Sequence, residues 1–105
     1  MATLKETPGE APPGGPEQRP ADLKRRLDAG EPVVVVDVRD PDEYRDGHIE
    51  DAANISRGFL EFRIGTVAPE PTTPLVLYCQ TGLRSMLAAR QLRELGYENV
   101  INLQG

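Results

Sequence analysis

Pro74-Leu75-Val76-Leu77-Tyr78-Cys79-Gln80-Thr81-Gly82-Leu83-Arg84-Ser85 joins an apolar run to the start of an amphipathic pattern through a short polar loop. Pro74 to Tyr78 is a short continuous apolar run, the pattern of a strand buried on both faces. Ser85 to Leu95 has the spacing of an amphipathic helix, with Ala88, Leu92 and Leu95 on one face, Ala89 beside them, and Arg90, Arg93 and Glu94 facing outward. Cys79 to Arg84 must therefore turn the chain at the carboxyl end of a strand, where ligands of open α/β sheets bind. A loop entering a helix directs unpaired N–H groups and the positive end of a helix dipole at whatever it encloses. Here it encloses the only cysteine of the chain. Such a field favours a thiolate, a persulfide or a bound oxyanion, and lowers the thiol pKa.

Working outward, Pro32 opens Val33-Val34-Val35-Val36, a β-branched run suited to the centre of a parallel sheet, and Asp37 ends it. Ala21 to Ala29 reads as a helix with Leu23 and Leu27 on one face and Gly30 as its stop; Lys24, Arg25 and Arg26 form a solvated face. Pro41 to Asp46 is a helical turn ended by Gly47, and Ala52 to Ile55 a short strand. Arg57 to Ile64 forms a helix with Phe59, Leu60 and Phe62 as its apolar contacts; after Gly96, Val100 to Leu103 returns as a strand. Strands alternating with helices specify an α/β domain with a mainly parallel sheet.

These blocks carry a resemblance. The C-x-x-G-x-R-S pattern of Cys79 to Ser85 resembles the active-site loop of the rhodanese-like sulfurtransferases. Val36-Asp37-Val38-Arg39, Asp42-Glu43-Tyr44, Gly47-His48-Ile49 and Ala53-Asn54-Ile55 resemble that family's first-half signature, and Gly96 to Gly105 its last strand. The resemblance implies a rhodanese-like three-layer α/β domain over residues 21–105 of the single-domain type. Relatives of this kind usually continue through a second glycine and a final helix; either the sequence is cut short before that helix or the protein does without it, and if it is cut short, one sheet face is expected to expose an apolar patch.

The resemblance further implies sulfur transfer, with Cys79 as nucleophile and persulfide carrier and the amides from Gln80 through Ser85 bonding the outer sulfur. Gln80, Thr81, Gly82, Leu83, Arg84 and Ser85 form the binding loop, with Gly82 admitting a backbone shape that side chains forbid and Thr81 and Leu83 shaping the mouth. Arg84 either binds an anionic donor or, the favoured reading, pairs with Asp37 to brace the loop. Ser85 is expected as the helix N-cap. Asp37 and Arg39 are supporting residues; Asp37 either tunes the site or caps a turn, and Arg39 and Glu43 are candidates for a surface ion pair. His48 reads as a structural turn residue. Six residues from cysteine to arginine go with sulfur transfer, whereas the related dual-specificity phosphatases carry a loop one residue longer. Donors would be thiosulfate or a persulfide, and acceptors cyanide in vitro or a thiol or thioredoxin-type protein in the cell. The alternative is a sulfur-carrier or protein-interaction module of a larger assembly with little free turnover.

Composition bounds the rest. A chain of 105 residues holds one small core. Residues 1–20 contain half of the ten prolines and three of the ten glycines, the composition of a disordered tether that adds nothing to that core. A formal net charge of -5 argues against general affinity for nucleic acid. No apolar stretch approaches the roughly 20 residues of a membrane span. A lone cysteine and a lone histidine make neither an internal disulfide nor a metal cluster, and no cofactor is implied. The expectation is a cytoplasmic monomer.

Overall fold

The computed structural model describes residues 16–103. Five parallel strands form one sheet in the order β1-β5-β4-β2-β3: β1 is Glu17–Gln18, β2 Val34–Asp37, β3 Ala53–Asn54, β4 Leu75–Tyr78 and β5 Val100–Leu103. The valine run and the Leu75 to Tyr78 run lie side by side, Val36 opposite Leu77 and Asp37 opposite Tyr78. Central position explains their composition, because both faces of these strands are covered. Four helices surround them: α1 (Pro20–Asp28), α2 (Pro41–Asp46), α3 (Leu60–Val67, entered through a 3-10 turn at Arg57–Phe59) and α4 (Leu83–Glu94).

Period-two alternation along the strands divides the core into two layers. Val36, Leu75, Leu77 and Val100 face α3 and α4, meeting Leu60, Ile64, Ala88, Ala89 and Leu92. Val35, Val76, Tyr78 and Leu103 face the other side, meeting Leu23 of α1. Leu60, Leu75, Leu77 and Leu92 are all fully buried, each worth roughly 1.5–3 kcal/mol relative to exposure. A concavity of about 700 Å³ lies on the α1 side, bordered by Leu23, Leu27, Val33, Val35 and Ile49.

Several expectations need correction. Order begins before Ala21: Glu17 and Gln18 pair with Asn102 and Leu103 as an edge strand. The remainder of the proposed tether, residues 1–15, lies outside the described residues. Of the three apolar contacts expected of α3 only Leu60 is buried; Phe59 and Phe62 are exposed, at 60% and 77%, and Ile64, four residues after Leu60 on the same face, joins it in the core. Leu95 is half exposed, since α4 ends at Glu94 and Gly96 turns away with φ 111°. Of the Lys24 to Arg26 run, Arg26 is mostly covered and bonds Glu31.

Candidate active site

Cys79 follows the last residue of β4 and is 6% exposed. Helix α4 starts sooner than the sequence suggests, at Leu83, with Gly82 as its N-cap. Gly82 has φ 89°, the left-handed region open to glycine. That turn carries the chain back over the cysteine, so that Gly82 N donates to Cys79 Sγ at 3.0 Å and Ser85 N at 3.4 Å. An N-cap side chain normally accepts from the amide three positions into the helix. Glycine has none, and here the cysteine sulfur does the capping. Ser85 is therefore not the N-cap; it is fully buried in the first turn, its Oγ donating to Gly82 O or to Asn102 Oδ1.

Burial pushes the Cys79 thiol up, but the polar surroundings supplied by Ser85 and by the loop amides, Gly82 N and Ser85 N among them, outweigh it and hold the pKa below the usual thiol value. Gln80, Thr81 and Leu83 are exposed around the loop. A depression of about 380 Å³ beside it is bordered by Cys79, Gln80, Arg39, His48, Tyr78 and Leu103.

Arg84 braces the loop, but not through Asp37. Its Nη1 and Nη2 each donate at 2.9 Å to Glu43 of α2, one to each carboxylate oxygen. Glu43 also accepts from Asp40 N, closing a capping box at the start of α2. The Arg84 fork pulls the Glu43 pKa down to about 2, and Glu43 in turn raises that of Arg84. Asp37 is unavailable because it is fully buried and saturated by Arg39: Oδ1 accepts from Arg39 N at 2.9 Å and Oδ2 from Nη2 at 2.7 Å. Burial opposes the Asp37 carboxylate, yet the Arg39 bonds leave its pKa lowered. Arg39 also donates to Gly47 O at 2.6 Å and lies 5.6 Å from the centre of the Tyr78 ring. The surface pair of Arg39 with Glu43 does not form; each has the other carboxylate or guanidinium as its partner.

His48 stacks on Tyr44 at 3.6 Å and bonds Tyr44 O through Nδ1, which suits the structural role expected of it. Sequence reasoning missed Glu43 as the brace and Asn102 altogether. Asn102 is 3% exposed on the same side of β5 as Val100, bonded to Ser85 Oγ at 2.5 Å. Its signal was present: an amide side chain at an inward position of an otherwise apolar strand needs a partner.

A Rhodanese-like domain family model matches residues 19–105, nearly the whole described chain. The chain belongs to the rhodanese-like domain family. Over 86 residues it is 34% identical to a probable adenylyltransferase/sulfurtransferase, MoeZ, of Mycobacterium tuberculosis, a match covering 82% of this chain and 22% of that protein. This rhodanese-like chain thus spans about a fifth of the length of that relative. It is 36% identical over 70 residues to the thiosulfate sulfurtransferase PspE of Escherichia coli, covering 67% of each. Among solved structures, the human single-domain sulfurtransferase TSTD1 superposes with a TM-score of 0.76 at 30% identity, over 87% of this chain and 90% of that one. The parallel five-stranded sheet flanked by helices is the shared rhodanese-like architecture.

Proposed function

We propose that this rhodanese-like domain is a sulfurtransferase that carries a sulfane sulfur on Cys79. The observation that carries the reading is the pair of amides, Gly82 N and Ser85 N, converging on a sulfur whose ionised form they favour. The thiolate attacks the outer sulfur of thiosulfate; the S–S bond of the donor breaks, sulfite leaves with the electron pair, and Cys79 becomes a persulfide. A nucleophile such as cyanide or a thiolate then takes the outer sulfur and returns the thiolate. The loop amides hold the terminal sulfur anion between these steps. No proton transfer is needed at Cys79 when the thiolate is already populated. Relatives named thiosulfate sulfurtransferases support this reaction class.

Charge at the loop bears on the donor. Arg84 and Arg39 are both engaged by carboxylates, so a thiosulfate dianion meets amides rather than a free guanidinium from either. This supports modest thiosulfate turnover and a small or protein persulfide as the cellular donor, with a thiol or thioredoxin-type protein as acceptor. A free catalytic thiol suits a reducing compartment such as the cytoplasm. The second reading, a sulfur-delivery module within a larger assembly, is favoured by the match to about a fifth of the two-activity relative MoeZ.

Intact mass after incubation with thiosulfate, then with cyanide, tests the reading. The expected result is a gain of one sulfur atom, lost to cyanide as thiocyanate and absent in Cys79→Ser. Failure to load from thiosulfate and from a small persulfide alike would overturn it.

A further inference from the structure

We propose that the outer side of α3, with the 3-10 turn before it, is the docking surface for a protein acceptor that presents its thiol in an apolar patch bordered by carboxylates. The proposal deepens the persulfide reading and rests on it. Both phenylalanines of the chain lie here. Phe59 and Phe62 are 60% and 77% exposed, and with Leu83 at 60% they are the three most exposed large apolar side chains among the described residues. The core does not need them, because Leu60 and Ile64 hold α3 from its inner side. Single apolar residues scattered over a surface carry no message. Two phenylalanines three apart, turned outward beside an exposed leucine at the catalytic loop, have the make-up of an interface anchor.

The fold joins this surface to Cys79. The 3-10 turn Arg57–Phe59 follows the carboxyl end of β3 as the loop follows that of β4, so both stand at the same edge of the parallel sheet, and the turn packs on α4. Leu60 and Cys79 share one core cluster. An interface of standard size covers about 800 Å² of each partner, a disc reaching roughly 16 Å from its centre. A partner centred on Cys79 therefore lies over Leu83, the 3-10 turn and the first turn of α3. Its thiolate bonds the outer sulfur, the persulfide S–S bond breaks, and the electron pair returns Cys79 to the thiolate. Charge selects the partner's sign. From Arg57 to Val67 the chain carries two arginines and one glutamate, although its formal net charge is -5. Arg57 and Arg63 are exposed, and no carboxylate among the described residues pairs with either. Helix α2, whose Tyr44 packs in the layer on the other face of the sheet, is acidic: Asp42 holds Arg45, and Asp40 and Asp46 are exposed around them. A partner's carboxylates are thus drawn to the α3 side, which fixes its orientation as well as its sign.

Nine-residue peptides with a central cysteine, about 30 Å long when extended, are the probes. In one, leucine alternates with acidic residues; in the second, leucine alternates with lysine; in the third, glycine alternates with acidic residues. Sulfur transfer from the Cys79 persulfide is measured at low salt on wild type, on Phe59→Ser with Phe62→Ser, and on Arg57→Gln with Arg63→Gln. All four side chains are exposed, so both variants should fold. Comparing variants with the same peptide cancels differences in thiol reactivity. For the acidic leucine peptide, kcat/KM should fall about fivefold or more in the phenylalanine variant, the loss that follows truncation of an aromatic anchor. The glycine peptide and cyanide should keep their wild-type rates. In the arginine variant the preference for the acidic over the basic leucine peptide should drop, and added salt should erase it from wild type. A parallel measurement involves no sulfur loading: the acidic leucine peptide with serine in place of its cysteine should slow iodoacetamide alkylation of Cys79 in wild type and not in the phenylalanine variant. Such protection without any sulfur transfer would uphold the docking surface and overturn only the persulfide reading. Equal rates and equal protection in wild type and both variants would overturn the proposal. So would self-association in sedimentation, or binding to anionic vesicles, that depends on Phe62 and comes with no peptide preference.

Discussion

Replacing Gly82 separates the backbone shape of the loop from its hydrogen bonds. At φ 89° an L-residue carries strain of roughly 1–2 kcal/mol, partly offset for alanine by about 0.4–1 kcal/mol from its stiffer unfolded chain. Relaxing the turn instead would withdraw Gly82 N from the sulfur, 3.0 Å away. A hydrogen bond to a charged acceptor is worth about 1.5–3 kcal/mol, so relaxation costs more than the strain it relieves. Gly82→Ala should therefore keep the loop and lose at most about 1.6 kcal/mol of stability, with alkylation of Cys79 near the wild-type rate. Gly82→Val adds the penalty of a β-branched residue at positive φ, which tips the balance toward relaxation. Its alkylation at a pH below the wild-type midpoint should slow by about tenfold or more, the rate equivalent of losing that bond. Urea unfolding and iodoacetamide kinetics on both variants are the assay. A folded Gly82→Val protein that alkylates as fast as wild type would refute the argument that this turn holds an amide on the sulfur.

The Glu43–Arg84 brace gives a pH prediction. Glu43 has a folded pKa near 2, below its usual 4.5, so the stability it contributes is present above about pH 4.5 and is lost as pH falls toward 2. The stability gap between wild type and Glu43→Gln should accordingly narrow over that interval in urea titrations; an equal gap at pH 6 and pH 2.5 contradicts the pairing. Asp37→Asn should cost about 3–5 kcal/mol in urea unfolding, because it leaves the Arg39 guanidinium without its buried counter-charge. A loss under 1 kcal/mol would show that Gly47 O and solvent suffice for Arg39. Measured at a pH where both are folded, Asp37→Asn should leave the alkylation midpoint of Cys79 in place, since none of the hydrogen bonds holding the sulfur comes from Asp37.

How much was legible in the sequence depended on how far each interaction reaches. The Leu75 to Tyr78 run, the valine run and the α4 pattern were readable because burial imposes periodicity on neighbouring residues. Strand β1 was not: Glu17 and Gln18 join the sheet through backbone bonds to β5, which need no apolar signal. The start of α4 is hidden in the sequence because Ser85 resembles a polar cap, whereas the cap is the cysteine sulfur, brought back by the left-handed Gly82. Phe59 and Phe62 were misjudged because aromatic content alone does not fix helix phase; Leu60 and Ile64 have the spacing that meets the core.

A parallel α/β domain of the rhodanese-like family and a loop that aims amides at its one cysteine follow from the order of residues alone, because those features are written in local spacing. Tertiary structure alone decided the partners. The sequence points Arg84 at Asp37, but the pairing falls to Glu43 because Arg39, two residues on from Asp37, saturates that carboxylate. Asn102 reached the loop only through the β4–β5 register, from 17 residues beyond Ser85. A hydrogen bond is settled by which donor and acceptor remain unpaired once the strands have docked, and that is a property of the assembled fold.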